Sequence, residues 1–105
     1  FPYPWSHDNR KPKHADKDKW LGKPFTVRGI QDRNLRRGIL KVFINRLYDL
    51  MKELSGDAQD SQVWLVDCRG AMPEVTDWID EIHGTSAGFK KVTARFLEVL
   101  KAAGV

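Results

Sequence analysis

Val63-Trp64-Leu65-Val66-Asp67-Cys68-Arg69-Gly70 is an unbroken apolar run that ends in a polar turn. Such a run is too short for a helix, and Val and Trp favour extended backbone, so the stretch reads as a strand. A strand apolar on both faces implies cover on both sides, as in a parallel sheet between helices. The Asp67–Gly70 turn then stands at the strand's C-terminal end, where open α/β sheets place their ligand sites.

Working outward, the segment from Asp32 to Leu54 has helical periodicity. Leu35, Ile39, Val42, Phe43, Leu47, Leu50, Met51 and Leu54 share one face, with Arg33, Arg36, Arg37, Lys41, Arg46 and Lys52 mostly on the other. Asp32 supplies a start signal and Ser55-Gly56 a stop. Gly56 to Gln62 is a polar loop. Past the strand, Ala71 to Gly84 reads as a loop with one helical turn around Asp77 to Asp80. A second helix starts at Thr85 or Ser86, either of which suits a cap, and carries Phe89, Val92, Phe96, Val99, Leu100 and Ala103 as its apolar stripe.

Residues 1–31 form an extended loop region. Phe1-Pro2-Tyr3-Pro4-Trp5 is biased to extended geometry by its prolines, and Ser6 to Lys19 is hydrophilic without periodicity. Trp20-Leu21-Gly22-Lys23-Pro24-Phe25 returns apolar groups to the body, so aromatics pin the loop at both ends. The order is loop, helix, strand, loop, helix. One strand cannot make a sheet, so residues 32–105 are expected to be the C-terminal part of a larger three-layer α/β/α domain with a parallel sheet. A chain that starts at Phe1 rather than Met fits that expectation of a partial domain.

With 105 residues, 41% hydrophobic and 30% charged, the composition is that of one ordinary globular domain. The net charge of +4 raises the question of nucleic acid. The excess lies in Arg10 to Lys19 and in scattered Arg28, Arg33, Arg36 and Arg37, without a recognition motif, so a solvated face is the better reading and no nucleic-acid partner is expected. One cysteine, Cys68, excludes an intramolecular disulfide. No long apolar span and no signal-peptide pattern are present, so no membrane partner is expected. Cytoplasm is the default location, with a removed export signal left open.

The densest cluster of reactive side chains is Asp77-Trp78-Ile79-Asp80-Glu81-Ile82-His83. Histidine accepts and returns protons near neutral pH, and a carboxylate three residues away in a tight turn can hold one ring nitrogen. The plainer reading is that His83 caps a helix start, with Asp80 and Glu81 favouring the positive end of its dipole. His7 and His14 show no ligand spacing with the cluster, so no metal is expected. Cys68 reads as a small buried hydrophobe rather than a nucleophile. Trp64 and Trp78 read as packing groups, Trp5 and Trp20 as loop anchors, and Phe89 and Phe96 as core.

The Val63–Gly70 stretch followed by Asp77-Trp78-Ile79-Asp80-Glu81-Ile82-His83-Gly84-Thr85-Ser86-Ala87-Gly88-Phe89 resembles the C-terminal block of the SGNH (GDSL-type) hydrolases. The opening segment, with its Tyr-Pro and Trp-Leu-Gly-x-Pro elements, is similar to some members too. The resemblance implies that His83 is the general base of a Ser-His-Asp triad and Asp80 its orienting acid. Some similar sequences have Asn three residues before the histidine, so Asp77 and Glu81 stand as alternates for the acid. The family's usual proline after the histidine is Gly84 here, which loosens the turn.

The resemblance further implies that the nucleophilic serine and the oxyanion donors lie in blocks upstream of this chain. None of Ser6, Ser55, Ser61 or Ser86 stands in a Gly-Asp-Ser segment. The expected function is thus the Asp-His part of an ester or acyl hydrolase, inactive alone, acting on a small-molecule ester without cofactor. Its apolar surface would be covered by the missing N-terminal half or by a homo-oligomer. The rival is a non-catalytic helical interaction module.

Overall fold

In the computed structural model, which describes Pro2 and residues 20–105, helices begin where an oxygen meets the free N–H groups of the first turn. Helix α1 spans Gly22–Val27, α2 Arg33–Ser55, α3 Ala58–Ser61 and α4 Ser86–Ala102, with a 3-10 turn at Val75–Asp77. Asp32 Oδ1 accepts from the Leu35 N–H at 2.6 Å and opens α2. Thr85 Oγ1 accepts from the Gly88 N–H at 3.1 Å and opens α4. Past α2, Gly56 has φ +56°, a backbone that side chains resist, and the helix stops there. These starts and stops follow the sequence closely.

The expected sheet is not there. Val63 to Val66 is extended, but no strand occurs among the described residues, and the β-type pairing among them is an isolated antiparallel bridge between Trp78 and Gly84. The three-layer α/β/α reading with a parallel sheet is therefore overturned: the described residues form helices and an irregular connecting segment. A strand's N–H and C=O groups need a neighbouring strand to pair with, and no other described segment offers one. Two further differences are local. The Trp20–Phe25 stretch, expected as loop, carries α1, and the Gly56–Gln62 loop carries the single turn of α3.

The core lies between the segment after Leu65 and α4. Cys68, Ala71, Met72 and Trp78 form its buried cluster, with Val66 and Val92 packed against it. Trp78 is only 2% exposed, and its indole N–H donates to the Met72 carbonyl at 3.0 Å, so its one polar atom is satisfied. Arg69 ties this segment to α2, stacking 3.8 Å from the Tyr48 ring centroid and donating to Asn45 Oδ1. Arg36 ties α1 to α2 through the Ile30 carbonyl and Thr26 Oγ1.

The helices bury only part of the apolar stripes that the periodicity suggests. On α2, Leu35, Val42, Phe43, Leu47, Leu50 and Leu54 are all exposed. Leu40 and Ser55 are buried, with Ile44, Tyr48 and Met51 half-buried, at steps of three and four residues along the neighbouring face. On α4, Phe89 and Phe96 are exposed rather than core, while Gly88 is buried and Val92 and Val99 are half-buried.

Candidate functional site

The stretch from the end of the 3-10 segment to α4 holds every acidic group of the reactive cluster, each in a separate task. Asp77 is buried and structural. Its carboxylate accepts from the Glu74 N–H at 3.1 Å and pairs with Lys91 Nζ at 2.7 Å, fastening the turn to α4. Its carbonyl accepts from the Thr85 N–H at 2.8 Å. That carbonyl also lies against Gly88 so closely that a Cβ there would overlap backbone. Residue 88 must be glycine for α4 to approach the turn.

Asp80 and His83 come together. Asp80 Oδ1 accepts from the backbone N–H groups of Ile82 at 3.0 Å and His83 at 2.8 Å, which curls the chain back. The same curl sets His83 Nδ1 2.9 Å from Oδ1 and 2.8 Å from Oδ2. Burial raises the Asp80 pKa, but the two backbone donors and the imidazole outweigh it, and the carboxyl is held below its ordinary value. An ionised carboxylate only accepts, so Nδ1 carries a proton, and in the neutral tautomer Nε2 is then the nitrogen with the lone pair. The His83 side chain is 57% exposed, and among the described residues Nε2 has no hydrogen-bond partner.

Gly84 does not loosen this turn. It is buried, bridged to Trp78, and a Cβ on it would meet Met72 Cε at 2.7 Å and Phe89 at 3.2 Å. The Ile79 N–H donates to the His83 carbonyl at 2.8 Å and closes the same hairpin-like loop.

Glu81 has a role that sequence reasoning missed. Only 4% exposed, it accepts from the backbone N–H groups of Trp20 at 2.9 Å, Leu21 at 2.7 Å and Gly22 at 2.6 Å. It thereby caps α1, whose own N-cap residue, Leu21, supplies no oxygen. The partners are 59 to 61 residues apart, so no local pattern could announce them. Glu81 brings Trp20 beside the Asp80–His83 pair: the indole meets the His83 ring edge-on, centroids 6.3 Å apart. Trp20 is thus an exposed neighbour of His83, held through its backbone, rather than an aromatic anchor.

Cys68 sits in the core cluster, and burial pushes its thiol pKa up, which makes it a poor nucleophile. Ser55 is buried at the end of α2 and donates to the Lys52 carbonyl. His7, His14, Trp5, Ser6 and the basic run Arg10 to Lys19 lie outside the described residues. Among the described residues no group of three His, Cys, Asp or Glu side chains converges as a metal site requires, and no helix is long and apolar enough to cross a membrane. Shallow depressions lie on α2, lined by Arg46, Asp49, Lys52, Glu53 and Gly56, and on α1, lined by Lys23, Pro24, Val27 and Arg28. Neither includes Asp80 or His83.

Comparison with family models, curated proteins and solved structures returned no match.

Proposed function

We propose that Asp80 and His83 are the acid–base pair of a serine ester or acyl hydrolase whose nucleophile and oxyanion donors come from other polypeptide. One observation carries the reading: a buried carboxylate grips Nδ1 while, among the described residues, Nε2 has no hydrogen-bond partner and the His83 side chain is more than half exposed. The resemblance of Asp77–Phe89 to the SGNH hydrolases contributes the roles of the pair, not an architecture.

In this chemistry Nε2 takes the proton from a serine hydroxyl as its oxygen attacks the ester carbonyl. The imidazolium, stabilised by Asp80, then gives that proton to the departing alkoxide. A water deprotonated by the same Nε2 then attacks the acyl carbon, and the imidazolium returns that proton to the serine oxygen as the acid leaves. No metal or organic cofactor enters these steps.

The test uses the natural full-length polypeptide that contains this sequence. It should hydrolyse p-nitrophenyl acetate and be labelled on serine by a fluorophosphonate. His83→Ala should lower kcat on the order of 10⁴-fold, since the members of such a unit act together. Hydrolysis that survives His83→Ala unchanged ends the proposal.

A second reading, a helical interaction module, is favoured by the exposed apolar stripe of α2. It predicts no fluorophosphonate labelling and full partner binding in His83→Ala.

A further inference from the structure

We infer that Trp20 is the apolar wall of the site at His83 and that Glu81 is the positioning residue that holds it there. The inference rests on the hydrolase reading and adds a substrate class: esters whose alcohol or acyl part presents a flat apolar face. Three observations combine. Trp20 is 59% exposed, yet its backbone is clamped together with those of Leu21 and Gly22 by one buried carboxylate. An exposed aromatic on a mobile loop would lose entropy on contacting a ligand; a clamped one loses less. Its ring stands edge-on to the imidazole that exposes Nε2, with 72° between the ring planes.

The geometry sets a corner. A carbonyl within reach of a serine served by Nε2 has the indole beside it, and covering that indole with an apolar ring removes both surfaces from water. Both Glu81 oxygens are already occupied by backbone N–H groups, so the carboxylate holds the wall rather than the ligand. Asp80 and Glu81 are adjacent in the chain, so one buried acidic turn orients the base with one residue and the wall with the next.

The experiment follows 1-naphthol, a product-like ligand that needs no turnover, by NMR on the natural full-length polypeptide. Wild type should show an NOE between the Trp20 indole and the His83 ring, and 1-naphthol should shift both sets of resonances. Trp20→Ala, a change at an exposed side chain, should weaken 1-naphthol at least tenfold. Glu81→Gln, which sets an amide against the N–H donors, should abolish the NOE and weaken 1-naphthol similarly while the Trp78 indole resonance stays in place. The kcat/KM ratio of 1-naphthyl acetate over methyl acetate should fall at least tenfold in both variants. Unchanged 1-naphthol affinity in Trp20→Ala, or an unchanged ratio, overturns the wall. Hydrolysis that survives His83→Ala while 1-naphthol still depends on Trp20 removes the base and leaves the wall standing.

Discussion

The turn from Asp77 to Gly88 and the helix α2 are built on opposite plans. Within the turn Asp77, Trp78, Asp80, Glu81, Gly84 and Gly88 are all buried, and each carboxylate has named donors. Helix α2 runs for 23 residues, of which only Leu40 and Ser55 are buried. The turn is held by contacts reaching residues 20 and 91, whereas α2 starts and stops on local signals and meets its neighbours at a few points, through Arg36, Asn45 and Tyr48. Local order and tertiary burial are therefore separable here: the longest helix buries only two of its residues, and the irregular turn is the more densely buried segment.

That contrast is broken most directly at its strongest point. Trp78→Ala removes the most buried large side chain and the indole bond to Met72, and should cost about 3–5 kcal/mol. Urea unfolding followed by circular dichroism would measure it. A loss below about 1 kcal/mol would mean that the cluster around Cys68 and Met72 is not the centre of stability.

The same contrast explains what could be read from the sequence. Asp32, Thr85, Gly56 and the helical repeats act within one turn of chain, so the bounds of α2 and α4 were legible. The Asp80–His83 pairing spans three residues and was legible for the same reason. Which face of α2 is buried was not, because Leu35, Phe43 and Leu47 satisfy the period as well as Leu40, Ile44 and Tyr48 do. The expected strand failed because hydrogen-bond partners for Val63 to Val66 are a property of other segments. Glu81 could not be separated from Asp80 as acid while its three donors lay some sixty residues away.

Acid sharpens the comparison next. Asp67 lies on the α2 side, held down to about 2 first by the Arg69 guanidinium and only partly opposed by burial. Asp80 lies in the turn and is also lowered, burial notwithstanding. A folded-state pKa below the unfolded value contributes stability that is present above about pH 4 and is lost as pH falls toward 2. Stability should therefore decline across that window, and Asp80→Asn should make the decline shallower. Asp67→Asn should flatten it by less than about 1 kcal/mol, because its side chain is 43% exposed. An identical slope in Asp80→Asn and wild type would contradict the assigned bonds.

The smallest effect is expected at the outer face of α2. Leu54 is 84% exposed, so Leu54→Ser should change the stability of this chain by under about 0.5 kcal/mol. Leu40→Ala, on the buried face of the same helix, should cost about 2 kcal/mol or more. The pair isolates burial from helix formation, since both positions sit in the same continuous helix. A drop of several degrees in Tm for Leu54→Ser would show that the outer face is covered in solution. The separation drawn between local order and burial would then hold for the chain but not for the assembly it enters, and the dependence of that drop on protein concentration would tell a second copy from an intramolecular cover.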